Sequence, residues 1–525
     1  MLKNRFGQLC IALGCALIVM LIPRPEGTKF EIIGDQGDVL ISHVKDNFQL
    51  DDNNGQRSSG YVIKSINPEH PSATGEWLKG KIDLLGLSNI SVEYVDGLSP
   101  TAKLFLAALA FLLFLFVFEP IPLEITAVCI GVLMILTGVT DVKGAWAPYM
   151  HPVVVFIMCC LVFAIAMEKA GLTRRLGTAI ARKAGDSVIR FTFLLSVGLG
   201  YASGLFHDAA ATAIGIATMM PLMRAAGIKP YTNTAKFMIL SVSFAASAGG
   251  MTTLVGGGRN MVAAAFLKEF TGMEITFFDW IKFAAPAGLV CVPLAVVILY
   301  FFFRPDSNFK LPKIDRELGA LTAIEKKTIV ILMAAFGMWL TKGIHGLDYS
   351  IPGILGIAAL VILGVLEWED IHKHLEWGTV LFIFGGGISL GLGMDASGAA
   401  RYFANLVFPL FQGNGWLVMF AGVAVFGAIV TNAMANVAAA ALILPIIIPL
   451  AQLEGVDPRV LALCLGMATS FAMLLVIGCP PNAIAYSYRQ FKSADLTKAG
   501  LVAIPILLFT LILVCALWWN VLGLV

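Results

Sequence analysis

The sequence predicts an all-α polytopic membrane protein of two inverted repeats, with re-entrant hairpins, broken helices and one small β-rich insertion. Three observations predict it. Of the 525 residues, 58% are hydrophobic and 13% charged, against about 25% charged in a soluble protein. Apolar stretches long enough to cross a hydrocarbon core of roughly 30 Å recur along nearly the whole chain. Features of the first half also return in the same order in the second. The net charge of +2 lies in short loops and does not indicate nucleic acid.

The first apolar run, 8–23, follows Lys3 and Arg5, and Pro23-Arg24-Pro25 follows it in place of a small-residue cleavage site. Residues 1–23 therefore read as a retained membrane helix with its N-terminus in the cytoplasm. Residues 24–100 are the one polar insertion and read as extracytoplasmic. Within them Lys29–Ile33, Asp38–Val44, Tyr61–Ile66 and Ile90–Val95 have strand-like composition between turn residues. This β-rich insertion is either a plain loop or a docking surface for a protein partner. All nine cysteines lie in or beside apolar segments, without a CxxC or Cys/His spacing. No cofactor, metal centre or enzyme nucleophile–base constellation is expected.

Basic residues decide the topology. The segment 191–222 is apolar but broken at His207-Asp208, with Arg174, Arg175, Arg182 and Lys183 before it and Arg224, Lys229 and Lys236 after it. Only a hairpin that enters and returns puts both clusters in the cytoplasm, as the positive-inside rule prefers. The segment 414–451, broken at Thr431-Asn432, is a hairpin entering from outside. Two further segments break, at Gly256-Gly257-Gly258 and at Gly478-Cys479-Pro480-Pro481. The first repeat spans 101–303, a cytoplasmic connection 304–327, and the second repeat 328–525, with the C-terminus outside. The protein reads as a multi-pass protein of the bacterial inner membrane.

The halves match at nearly constant spacing. Asp208 and Asn432, like Pro221 and Pro445, are 224 residues apart, and Gly256 and Asn260 precede Gly478 and Asn482 by 222. Backbone that leaves helical geometry inside a membrane must be satisfied by protein, water or cargo. Helix N-termini at such breaks suit anions, and loop carbonyls suit a cation such as sodium. Interrupted helices paired by inverted repeats mark the binding site of many transporters. An ionisable Asp208 at membrane depth is costly unless used or paired, and it also suits a helix N-cap. His207 is a proton-titrating group, an anion donor or a satisfied core histidine. Arg259 is either an anion clamp or a snorkelling arginine. Thr212 and Asn436 lie four residues beyond Asp208 and Asn432, on the same helix face.

At these residues the chain resembles the divalent anion:sodium symporter family, the citrate, dicarboxylate and sulfate carriers of the ion transporter superfamily. The resemblance covers about 101–525. It rests on Phe118-Glu119-Pro120-Ile121-Pro122-Leu123, Ala166-Met167-Glu168-Lys169, Phe270-Thr271-Gly272-Met273-Glu274-Ile275-Thr276-Phe277 and Pro480-Pro481-Asn482-Ala483-Ile484-Ala485. It implies an elevator-type homodimer that moves a small anion, with sodium or a proton as coupling ion. It also implies substrate contacts at His207, Asp208, Ala209, Thr212, Arg259, Asn260, Thr431, Asn432, Ala433, Asn436, Pro481 and Asn482. The implied cation sites are at Ser203, Asp208, Gly256, Asn432 and Gly478. The family's two Ser-Asn-Thr hairpin tips read His207-Asp208-Ala209 and Thr431-Asn432-Ala433 here, and its first Gly-x-Pro-Pro-Asn loop reads Gly256-Gly257-Gly258-Arg259-Asn260. Ser203 keeps the hydroxyl expected at the first sodium site, whereas Gly427 offers none at the second. These departures leave two alternatives to an ion-coupled carrier of dicarboxylate, sulfate or a related oxyanion. One is a sodium-independent exchanger or exporter; the other is a transporter-derived scaffold or sensor whose insertion binds a partner.

Overall fold

A computed structural model describes residues 5–22, 28–50, 60–66, 75–118, 120–172, 175, 178–179, 182–183, 186–306, 309–311, 319–375, 377–407, 415–433 and 436–525. Lys3, residues 23–25, Glu119 and Arg174, singled out above, lie outside these described residues. The described chain is mostly helical, with one four-stranded sheet. Among the described residues six helices are long and apolar enough to cross a membrane, and six more apolar helices run 10–17 residues. Two compact units emerge. One comprises 1–149, 386–413 and 445–455, and the other 150–385, 414–444 and 456–525.

The first unit holds the insertion. Strands β1 (Lys29–Ile33), β2 (Phe48–Leu50), β3 (Gly60–Ser65) and β4 (Ser91–Asp96) form an antiparallel sheet of order β2-β3-β1-β4. Helix α1 (Gly37–Val44) connects β1 to β2, and α2 (Gly75–Leu84) connects β3 to β4. This is the split β-α-β arrangement of ferredoxin-like modules. The sheet expected of the insertion is present, with two helices packed on it, but Asp38–Val44 is a helix rather than a strand. Its β-branched composition misled, but Gly37, Leu40 and Val44 are buried at helical spacing. Leu78 and Ile82 of α2 repeat the pattern. With Phe30, Ile32, Phe48 and Ile63 they complete a core of the module's own. In the same unit the helix Arg5–Leu21 packs along Pro100–Phe118, and Tyr149 donates its hydroxyl to the Ala127 carbonyl at 2.6 Å.

The second unit carries the interruptions. Helix α3 (Val188–Phe206) ends at His207, and α4 (Asp208–Ala225) starts at the next residue. Helix α5 (Asn233–Gly249) gives way to a short 3-10 turn at Leu254–Gly256 before α6 (Gly258–Thr271). In the second half α7 (Gly415–Ala433) and α8 (Asn436–Leu453) flank the second tip. Helix α9 (Pro458–Ala468) runs through 3-10 turns at Thr469–Phe471 and Val476–Gly478 into α10 (Pro480–Ser487). Prolines 480 and 481 fall in the first turn of α10, where the missing N–H groups have no intrahelical partner in any case. Glycine decides how closely the first hairpin approaches the broken helix. A Cβ on Gly249 would stand 1.7 Å from the Gly200 carbonyl oxygen, so α3 and α5 touch through backbone at that level.

Candidate functional site

All four interruptions fall within the second unit. His207 joins the arms of the first hairpin with φ 73° and ψ 141°, a backbone state rare outside glycine. Its Nδ1 accepts from the Ala209 N–H at 3.4 Å. Asp208 follows at the first position of α4 and is 1% exposed. Its Oδ2 accepts from Arg259 Nη1 at 3.0 Å. Its Oδ1 lies 3.1 Å from His207 Nδ1, but the ring is turned to the Ala209 amide and Oδ1 has no donor among the described residues.

Arg259, in the first turn of α6, is 2% exposed and spends its guanidinium on protein. Besides Asp208, Nε donates to Ser470 Oγ at 3.0 Å and Nη2 to the Ser247 carbonyl at 3.2 Å. The Asn436 amide is satisfied when its oxygen faces Arg259 Nη1 at 3.2 Å and its nitrogen donates to Thr431 Oγ1 at 3.2 Å and Gly478 O at 2.5 Å. One cation thus ties the first hairpin tip and the first broken helix to the second hairpin and the second broken helix. The loop glycines make room for it. A Cβ on Gly257 would stand 2.7 Å from Nη1, and one on Gly256 would stand 2.4 Å from the Gly250 carbonyl oxygen.

The two loop asparagines repeat one another. Asn260 Nδ2 donates to Gly250 O at 2.8 Å and Thr253 O at 2.7 Å. Asn482 Nδ2 donates to Ala472 O at 2.8 Å and Leu475 O at 3.1 Å. The donor and both acceptors are each offset by 222 residues. The symmetry ends at the other amide atom. Asn482 Oδ1 accepts from Ser243 Oγ at 2.8 Å, but the position 222 residues after Ser243 is Leu465, and Asn260 Oδ1 is left without a partner. At the second tip Asn432 Nδ2 donates to Ala428 O at 2.7 Å and Phe471 O at 3.0 Å, and its Oδ1 accepts from the Leu474 N–H at 2.7 Å. Thr431 Oγ1 donates to Thr469 O at 3.4 Å.

Of the residues singled out in the sequence, Asp208, Arg259, Thr431 and Asn436 thus meet in one buried network with Gly256 and Gly478 in its loops. Pro481 is buried behind it in α10, and the side chain of Ala433 lies outside the described residues. Two candidates face elsewhere. Thr212 Oγ1 donates to the Asp208 carbonyl of its own helix at 2.9 Å. Ser203 Oγ is placed to donate to Gly200 O at 2.7 Å and to Ala246 O at 2.8 Å. The space a second-site hydroxyl would fill at Gly427 is taken by Leu465, whose Cδ1 would stand 2.6 Å from an added Cβ. Sequence reading missed Ser247 and Ser470. Their signal was position, since each sits in the last turn before a break.

The profile of the sodium:sulfate symporter transmembrane region matches residues 90–525, and the chain belongs to that family. It is accordingly a multi-pass membrane transporter. Among curated relatives, an uncharacterized transporter of Haemophilus influenzae is 28% identical over 419 residues, 76% of this chain and 88% of the relative. The sodium-dependent dicarboxylate transporter SdcS of Staphylococcus saprophyticus is 25% identical over 479 residues, 85% of this chain and 92% of its own. The crystal structure of the Alcanivorax borkumensis YdaH transporter aligns with a TM-score of 0.46 at 14% identity, covering 72% of this chain and 86% of that one.

Proposed function

We propose that this chain is a secondary carrier of small divalent anions, dicarboxylate or sulfate-like, in which Arg259 stands where relatives hold their first sodium ion. The observation that carries this is how Arg259 is used. An anion clamp would leave its guanidinium fork open, but here the fork is spent on Asp208, Ser247, Ser470 and Asn436. A carboxylate and loop oxygens gathered round one buried cation make a cradle of the kind that suits sodium, and a fixed guanidinium fills it. The anion then sits between the hairpin tips, against the amide N–H groups that open α4 and α8. Asn260, Asn432 and Asn482 act by holding the loops, with their amides bonded to backbone. Coupling falls to at most one further ion, or to exchange of one anion for another.

The test is uptake and counterflow in proteoliposomes with sulfate, succinate and citrate, each with and without an inward sodium gradient. Accumulation or exchange of one of these with little response to sodium is expected. No flux of any of them in either mode would remove the reading. The proposal also places the insertion and the C-terminus outside the cytoplasm, in a homodimer moving by an elevator-like step. Single cysteines at Lys79 and Lys492, in a background without reactive native thiols, are expected to label from outside and only after permeabilisation, respectively. Labelling of position 492 in intact cells would reverse the topology.

A further inference from the structure

Far from the tips, the second unit holds a cavity of about 400 Å³ walled by the C-terminal ends of α4 and α10, a volume within the range of ligand sites. Arg224 lies sixteen residues beyond Asp208 on α4, roughly 24 Å along a straight helix, so the cavity is separate from the anion site. One side is apolar, from Met220, Met223 and Ile228; the other is polar, from Arg224, Ser487, Tyr488 and Gln490.

Charge around this cavity is one-sided. Arg224 lines it, and Lys229 and Arg489 are exposed and each sit between two lining residues. Their side chains have no ion-pair or hydrogen-bond partner among the described residues. Neither walling segment has an acid to offer. No Asp or Glu occurs between Asp208 and Glu269 or between Asp457 and Asp495, and Asp495 is taken by Lys236 at 2.9 Å. The two helix C-termini contribute roughly −0.5 charge each, too little to offset three full positive charges. The polar rim is also held in unfavourable backbone. Tyr231 (φ 65°) and Arg489 (φ 53°) are two of the few non-glycine residues in the left-handed region. The Tyr231 N–H donates to Gln490 O at 3.0 Å and fixes that rim. Strained backbone held by its surroundings is a common mark of ligand sites.

We propose that this cavity binds a phosphate-bearing anion of headgroup size, either the headgroup of an anionic phospholipid or a soluble phosphate ester. The cations and hydroxyls take the phosphate oxygens, and Met220, Met223 and Ile228 take the glycerol or apolar part. Basic pockets at helix ends near the membrane surface recognise anionic lipids in this way. The site is independent of the transported anion, so its failure would leave the transport reading untouched.

The test is native mass spectrometry of the full-length protein in detergent, titrated with phosphatidylglycerol, with phosphatidylcholine, and with phosphatidylglycerol in competition with inorganic phosphate. Retained phosphatidylglycerol but not phosphatidylcholine is expected, with affinity falling about tenfold or more in Arg224→Gln/Arg489→Gln. Arg224→Lys is expected to keep binding. Arg224→Gln alone is expected to lose about fivefold, and it carries the test if the double variant misfolds. Competition by millimolar phosphate would identify a soluble phosphate as a sufficient ligand, and its absence would identify the lipid. Equal retention of both lipids, or undiminished binding in the Gln variants, would overturn the site.

Discussion

Replacing Arg259 with alanine is expected to abolish anion binding in sodium-free medium and to make the binding that remains depend on sodium. Asp208 and Arg259 are 1% and 2% exposed, and removing one member of a buried pair typically costs about 3–5 kcal/mol, because the other charge is left uncompensated. Arg259→Ala also removes the donors to Ser470 Oγ and the Ser247 carbonyl. What remains is a pocket with one carboxylate, a hydroxyl and a carbonyl, a set of hard oxygens that suits a small cation. Sodium, but not potassium or choline, should therefore restore part of the affinity and part of the lost thermal stability.

Wild type supplies the other half of the comparison. Coupling between two ligands commonly changes affinity about 5–150-fold. With Arg259 in place, the dependence on sodium should fall below the lower end of that range. Binding of succinate and sulfate, measured by calorimetry across sodium concentrations in both proteins, separates the readings. Steep sodium dependence in wild type with a harmless Arg259→Ala would show that Asp208 binds the ion and that the guanidinium is incidental. Asp208→Ala/Arg259→Ala serves as the folding control, since deleting both charges leaves neither buried alone.

Much of this arrangement was legible in the sequence because interruptions are loud in an apolar chain. His207-Asp208, Gly256-Gly257-Gly258, Thr431-Asn432 and Gly478-Cys479-Pro480-Pro481 each break a stretch that membrane physics would otherwise keep helical. The repeat offsets then paired them. The partners that complete the network were quieter. Ser247 contributes a backbone carbonyl, which any residue possesses, and Ser470 is one hydroxyl among many in helices that need small residues to pack. Thr212 looked like a pocket residue by helical spacing, yet its hydroxyl prefers the carbonyl one turn back, a local bond that spacing cannot distinguish. In the insertion, β-branched composition at Asp38–Val44 outvoted a short helical period. The helix Gly37–Val44 has eight residues, too few for either signal to dominate.

Asn482→Ala is expected to lower anion affinity by about 100-fold or more and to destabilise the protein measurably, whereas Asn260→Ala costs less stability. The difference follows from the partners. Asn482 bonds two loop carbonyls and the Ser243 hydroxyl. Alanine leaves that hydroxyl without its acceptor, a loss of about 1–3 kcal/mol for an unpaired buried group, while the carbonyls keep weaker donors in the Gly478 N–H and Cys479 Sγ. Asn260 satisfies two carbonyls, and its own oxygen is already orphaned, so part of that cost is present in wild type. Asn432→Ala resembles Asn482→Ala, since it strands one buried polar group, the Leu474 N–H, and takes the amide donor from the Ala428 and Phe471 carbonyls. In all three variants the loop that positions α6, α10 or the second tip loosens, so the N–H groups facing the anion lose their preorganisation. Thermal melting with and without the transported anion checks both parts. Equal melting losses for Asn482→Ala and Asn260→Ala would refute the bookkeeping of partners. Full anion-induced stabilisation in Asn432→Ala and Asn482→Ala would move the anion away from these loops altogether.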